Sequence, residues 1–315
     1  MTASNKSVII TGGNAGLGYQ TAKALGQAKE GWTVVIAGRH EGKVQEAVAR
    51  LRRSTGNERI YGLLLDLASL ASVREFAAAW KKSDHPRLKG LICNAGLQVV
   101  SETTYTQDGF ETTFGVNHLG HFLLANLLIL LMSPAGQIVW VSSDTHDTTK
   151  KTGMPGPVYT DPQTLAFPQP YGKNADLQHE GRVRYTASKL CNIYTAYEMD
   201  RLLKRKNIPI RVNAFNPGMM PGSGLARDYN PLMRFGWNYI LPIAAVFNRN
   251  MRTTKQSGNA LAKLFLDPSL SEVSGKYFDG TKPIRSSADS YNVNKAQDLW
   301  EGSIRLTSLK PDEMW

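Results

Sequence analysis

Cysteine is scarce: the 315 residues hold only Cys93 and Cys191, each inside an apolar stretch. Two thiols exclude a disulfide scaffold and a four-cysteine zinc site, and the expectation is two buried thiols in a reducing compartment. Long apolar runs are missing too. The greasiest stretch, 119–132, contains His121 and Asn126 and is too short to span a bilayer, so it reads as a buried helix. Residues 1–7 lack the charged-then-apolar pattern of a secretory leader, and the expected location is cytoplasmic. There is no internal repeat and no low-complexity tract. Apolar residues (AVILMFWYC) make up 42% of the chain, which excludes a disordered or collagenous class. Acidic residues are in deficit, 26 against 37 Lys and Arg, and the charge of +11 implies an anionic partner of some kind.

Short, continuously apolar runs at 7–11, 33–37, 60–65, 88–93, 137–142 and 210–215 alternate with helical patterns near 17–29, 42–53, 70–82, 110–132 and 183–206. Such alternation predicts an α/β fold: a doubly wound parallel sheet, buried by helices on both faces and joined by right-handed crossovers. Two segments break the rhythm. Residues 144–181 are polar and carry Pro155, Pro157, Pro162, Pro168 and Pro170, while 218–255 mix Gly and Pro with an apolar stretch at 235–247. Both read as borders of a ligand cleft, the first an insertion and the second a substrate lid, and not as linkers. Residues 1–315 are therefore expected to form one Rossmann-type domain with a C-terminal helix near 293–309.

The first predicted strand runs straight into Gly12-Gly13-Asn14-Ala15-Gly16-Leu17-Gly18, and a helix follows. Glycines there permit a tight turn and let backbone amides approach a pyrophosphate at the helix N-terminus, so a dinucleotide site is expected. The tip of the second strand then chooses between cofactors. An NAD site places Asp or Glu there for the ribose 2′-hydroxyl, whereas this chain has Ala37-Gly38-Arg39-His40. An arginine pairs with a 2′-phosphate through charge-assisted hydrogen bonds, so NADP or NADPH is the expected cofactor.

Tyr185-Thr186-Ala187-Ser188-Lys189 sets a phenol and an ammonium four residues apart, on one face of a predicted helix. A free tyrosine, with a pKa of about 10, is a poor proton donor or acceptor near neutrality; a neighbouring ammonium favours its phenolate and lowers that value.

With these motifs in order, the chain resembles the short-chain dehydrogenase/reductase family over residues 6–280. The resemblance rests on Thr11–Gly18, Asp66 after the third strand, Asn94-Ala95-Gly96 after the fourth, Asn117 within Val116-Asn117-His118-Leu119-Gly120, Ser143 at the end of the fifth, and Tyr185 with Lys189. It implies the sheet order 3-2-1-4-5-6-7 and a site in which Tyr185 moves the proton, Lys189 tunes it and holds a ribose, Ser143 orients the substrate oxygen, and Asn117 anchors a water relay. It also implies cofactor contacts from Asp66 and Leu67 near the adenine, from Asn94, Ala95 and Gly96, and from Pro217 and Gly218. Residue by residue, other roles stay open. Asp66 could cap the following helix, Asn117 could be a satisfied buried amide, and Ser142 could replace Ser143. His118 and His121 read as structural, and no metal site is expected.

The gap of 42 residues between Ser143 and Tyr185 resembles the protochlorophyllide reductases and the retinol dehydrogenase-like branch, as do Ser143-Asp144-Thr145-His146 and Leu299-Trp300-Glu301-Gly302-Ser303. Against the pigment reductases, Pro217-Gly218 is followed by Met219-Met220 in place of a cysteine. Residues 201–255 hold ten Lys or Arg against the single acid Asp228. Arg227, Arg234, Arg249 and Arg252 flank Phe235, Trp237, Tyr239 and Phe247, which suits a bulky apolar substrate with an anionic group, or peripheral contact with an anionic membrane. Nucleic acid is not expected, because no recognition motif accompanies the charge.

Overall fold

The computed structural model describes residues 6–172, 174–221, 228 and 251–315. Eight strands form one sheet: β1 (Ser7–Thr11), β2 (Thr33–Gly38), β3 (Ile60–Leu64), β4 (Leu88–Cys93), β5 (Met132–Val141), β6 (Ile210–Asn216), β7 (Tyr277–Asp279) and β8 (Lys282–Ile284). Their order is β3-β2-β1-β4-β5-β6-β7-β8. All neighbouring pairs are parallel except β7–β8, a short antiparallel hairpin that extends the expected order by one strand.

Burial on both faces is visible inside a single strand. Val8 and Ile10 pack with Leu25 of α1 (Gly16–Gly26), Leu51 of α2 (Glu41–Thr55) and Leu264 of α7 (Thr254–Leu266). Ile9 faces the other layer, with Phe76 of α3 (Leu70–Lys82), Phe122 of α4 and Met199 of α6 (Leu177–Arg205). The alternation of side chains along a strand makes this division, and continuous apolar sequence is its signature. Here α4 runs from Thr112–Phe114 through a π-helical turn, Gly115–Leu119, into Gly120–Ile129. A short α5 (Pro162–Ala166) and the C-terminal α8 (Val293–Thr307) complete the set used below. Among the described residues, no helix is long and apolar enough to cross a membrane.

Three expectations shift. β5 starts at Met132, because the turn-like Ser133-Pro134-Ala135-Gly136 is accommodated by Ala135 at φ 55 while Met132 already pairs with Leu88. α6 starts at Leu177, where Asp176 accepts the His179 N–H, so the end of the insertion is helical. The insertion is also anchored: Tyr159 donates to Asp298 at 2.7 Å, and Ala166 packs with Leu299 of α8 and Tyr194 of α6.

Candidate active site

Parallel strands bring the ends of β1, β2, β4, β5 and β6 to one edge of the sheet, where open α/β sheets bind ligands. At β1 the turn is locked to β4 through Thr11. Its Oγ1 accepts the Asn94 and Ala95 N–H groups at 2.9 Å each, and Asn94 Nδ2 donates to the Thr11 carbonyl at 2.7 Å. Asn94 and Ala95 are thus the seat of the glycine turn. Gly12 takes φ +64, and a Cβ on Gly18 would stand 2.6 Å from both Asn94 Nδ2 and the Gly12 carbonyl. Side chains are excluded there. Gly16 differs: at φ +53 it opens α1 with no atom within 4 Å of its Cβ position, and the first turn of α1 carries no acidic residue. This is the open, anion-favouring helix start that a pyrophosphate needs.

Asn14 lies against Gly38, with its Oδ1 at 3.1 Å from the Cβ position there. Arg39 follows on the surface. Asp66 Oδ1 accepts the Ala68 N–H at 3.0 Å, but α3 has its own cap in Ser69, so capping is not the role of Asp66. Leu67 packs in the core, which leaves only its backbone for a ligand. Gly18→Ala is expected to lower dinucleotide affinity at least about tenfold, since Asn94 or Gly12 must move, which a binding titration with a thermal melt alongside would measure.

The catalytic candidates meet at β5, α4 and α6. Tyr185 and Lys189 are buried on consecutive turns of α6, 6% and 4% exposed. Lys189 Nζ lies 5.5 Å from the centre of the Tyr185 ring and donates to the Val141 carbonyl at 3.2 Å. Burial lowers its ammonium to about 8. Ser142 donates to the Lys189 carbonyl at 2.7 Å, a bond between β5 and α6 that commits its hydroxyl. Ser143, half-buried, holds weaker partners: it accepts the Thr145 N–H and donates to Asp144 Oδ1, both at 3.3 Å.

Asn117 sits on the π-helical turn of α4, an insertion type often found at functional sites. Its amide is fully engaged, accepting the Leu97 N–H and donating to the Leu97 carbonyl, both at 2.9 Å, and to Ser188 at 3.0 Å. Asn117 Oδ1 and Lys189 Nζ both lie within 3.4 Å of the Cβ position of Gly96, so these three expected residues do converge. The Asn117 carbonyl takes a hydrogen bond from His121 Nδ1 at 3.1 Å, which leaves Nε2 to accept from Thr11 at 2.8 Å. His118 pairs with Ser303 at 2.9 Å and stacks on Phe114. Burial lowers both imidazoles to about 3, so they are neutral packing residues.

The sequence reading missed Glu111. Its buried carboxylate caps α4 by accepting the Thr113 and Phe114 N–H groups and pairs with Arg184 Nε at 3.3 Å. That ion pair ties the start of α4 to the residue before Tyr185. A lone Glu opening an apolar helix is the only signal it leaves in sequence. Burial raises this carboxyl above the usual range, against those hydrogen bonds and the Arg184 charge.

Beyond β6, the Pro217 carbonyl accepts from Ser257 at 2.6 Å, and the Gly218 N–H donates to Asn216 Oδ1 at 3.0 Å. Met219 bridges to Met251. Of the expected lid, Arg227, Arg234 and Arg249 with Phe235, Trp237, Tyr239 and Phe247 lie outside the described residues. Arg252 is not a free rim cation; its Nη1 is taken by Asp279 Oδ1 at 2.8 Å. A cavity of about 90 Å³ beside it, at the ends of β5–β7, is lined by both signs of charge, Asp144, Asp147 and Asp279 with Lys150, Arg252 and Arg285.

The short chain dehydrogenase family model matches residues 6–160. Chloroplastic protochlorophyllide reductase of Daucus carota is 34% identical over 321 aligned positions, covering 96% of this chain and 78% of that protein. The chain belongs to the short-chain dehydrogenase/reductase family. Polyprenol dehydrogenase of Homo sapiens, another relative, is 30% identical over 311 positions, 97% of this chain and 86% of that one. Among solved structures, an NADPH-bound short chain oxidoreductase of Pseudomonas aeruginosa PAO1, described as having an atypical catalytic center, shares the fold. Its TM-score is 0.63 at 19% identity, covering 88% of this chain and 95% of that one. This chain is therefore an oxidoreductase of the short-chain dehydrogenase/reductase family.

Proposed function

We propose that the protein uses NADPH to reduce a carbonyl, or a double bond conjugated to one, on a bulky apolar substrate, with Tyr185 as proton donor. The observation that carries this reading is the buried Lys189 ammonium, 5.5 Å from the Tyr185 ring and anchored on Val141, the last residue of β5, two positions before Ser143. A site that only bound a dinucleotide would not need a desolvated cation beside a buried phenol.

The residues at the β1 and β2 edge fit NADPH: the open Gly16 position for the pyrophosphate, and exposed Arg39 for a 2′-phosphate. When bound, the cofactor supplies the hydride that the substrate carbon receives. Ser143, whose present hydrogen bonds are long, exchanges one of them for the substrate oxygen. Tyr185 Oη gives its proton to that oxygen, or to the adjoining carbon of a conjugated bond. Lys189, cationic below about 8, favours the phenolate left behind. Asn117 holds α4 against Leu97 and Ser188 beside that ammonium.

NADPH is expected to bind at least tenfold more tightly than NADH, and Arg39→Asp to erase or reverse that preference. Paired titrations of both cofactors decide it, and equal affinities in the unmodified protein would contradict the role of Arg39.

Similarity to the carrot pigment reductase supports a second reading, light-driven reduction of a tetrapyrrole double bond. Met219, standing where those enzymes have cysteine, favours the first reading. Following loss of NADPH with bulky ketones, retinal and protochlorophyllide, in darkness and in light, separates them. Dark turnover of a carbonyl supports the first reading and turnover confined to light and pigment the second. Tight NADPH binding with no turnover of any of them would point to a non-catalytic sensor.

A further inference from the structure

Ser143 has to present its hydroxyl in one direction, and the peptide unit that follows it is gripped from both sides. The carbonyl of that unit, Ser143 O, accepts a 2.6 Å hydrogen bond from His146 Nδ1, while its N–H, on Asp144, donates to Asn216 Oδ1 at 3.2 Å. Asn216 Oδ1 also accepts the Gly218 N–H, and Asn216 Nδ2 donates to Asp279. The other face of His146 is fixed too. Its Nε2 lies 3.0 Å from the backbone N of Ser287, 141 positions along the chain, and its ring packs on Tyr277 of β7.

These contacts allow one form of the ring. A backbone N–H can only donate, so Nε2 accepts from Ser287, and the ring proton resides on Nδ1, where it donates to the Ser143 carbonyl. Burial, the largest influence, lowers the His146 pKa, in keeping with a neutral ring.

We infer that His146 is a positioning residue for Ser143: its neutral, Nδ1-protonated ring, braced by Ser287, fixes the Ser143–Asp144 peptide plane and thereby the direction of the Ser143 hydroxyl. This rests on the reduction proposed above, in which Ser143 holds the substrate oxygen. His146 touches neither substrate nor cofactor in this scheme. Its role differs from generic packing because the carbonyl it holds belongs to the serine itself.

Three variants, His146→Asn, His146→Gln and His146→Phe, test the inference on a carbonyl substrate that the wild-type protein reduces. The Asn amide can replace Nδ1 as donor to Ser143. Gln reaches the Nε2 position, accepts from Ser287 and leaves the Ser143 carbonyl only the long 3.4 Å bond from the residue-146 backbone N–H, and Phe loses both side-chain contacts. We expect kcat to fall about tenfold to a hundredfold in His146→Gln and His146→Phe, as for a catalytic group displaced by an ångström or so, and to stay within about threefold of wild type in His146→Asn. The NADPH dissociation constant should stay within about twofold throughout. Wild-type kcat in His146→Phe overturns the inference, as does equal loss in the Asn and Gln variants or a parallel loss of cofactor binding. If His146→Phe does not fold, the Asn–Gln contrast decides. Should the wild-type protein turn over no substrate, the reduction reading fails by itself, and nitrogen NMR of the histidine rings still reads the geometry. A neutral Nδ1–H ring at pH 7 supports the clamp, and an Nε2–H or cationic ring overturns it.

Discussion

Tyr185→Phe is expected to lower kcat by about a thousandfold while leaving the NADPH dissociation constant within about twofold of wild type. The substitution removes one oxygen from a side chain that is 6% exposed on a 29-residue helix, so the scaffold around it has little reason to move. In the proposed chemistry, what goes is the proton delivered to the substrate oxygen as its carbon is reduced. Ser143, Lys189 and the glycine turn keep their places, and the Lys189 ammonium stays anchored on Val141. Steady-state kinetics and a cofactor titration on the same preparation measure both halves. Near-normal turnover of a carbonyl by Tyr185→Phe would remove Tyr185 as the acid.

Lys189→Met should do two opposite things: abolish most turnover and make the cofactor-free protein more stable. Burial lowers the Lys189 ammonium from the ordinary 10.5 to about 8, so the folded state gives up a proton more readily than the unfolded chain. Between those values the unfolded chain binds more protons, and the lysine's contribution to stability rises with pH. At pH 7, below both, its charge costs the fold about 3 kcal/mol by linkage. Methionine has similar length and no charge. The Val141 carbonyl that loses Nζ is still held by Asn192 Nδ2 at 3.1 Å, so no buried acceptor is orphaned. Thermal melts without cofactor should show a gain that is largest at or below pH 8 and shrinks toward pH 10.5. A melting temperature lower than wild type at pH 7 would show that the ammonium stabilises the fold instead. Loss of turnover together with gain of stability is the pattern of a site held at the expense of the fold.

Most strands were legible because burial on both faces leaves continuous apolar runs, as in Val8-Ile9-Ile10 and Val34-Val35-Ile36. β8 was not. Lys282-Pro283-Ile284 is a three-residue exposed edge whose pairing depends on β7 beside it. The early start of α6 was hidden because Gln178, His179, Glu180 and Gly181 read as loop, although Asp176 stood at the capping position. Within the site, Gly12, Gly18, Tyr185 and Lys189 announce themselves by spacing. Ser142 and Ser143 are equivalent in sequence and differ in the structure by burial and by the Ser142 bond to the Lys189 carbonyl. Counting charges placed Arg252 among the available cations, because a count does not register its pairing with Asp279. His146 had no signal beyond its place in Ser143-Asp144-Thr145-His146, since its partner at Ser287 is distant in the chain.

The proposed chemistry predicts that the hydrogen leaving NADPH and the proton leaving Tyr185 end up in one product molecule. NADPH deuterated at the transferable nicotinamide position, incubated with a bulky carbonyl substrate, should give product carrying one deuterium on the former carbonyl carbon. Tyr185→Phe, at equal NADPH occupancy and over the same interval, should give about a thousandth as much. Equal labelling by the two proteins, or saturated NADPH binding with no labelled product from any substrate tried, would contradict it.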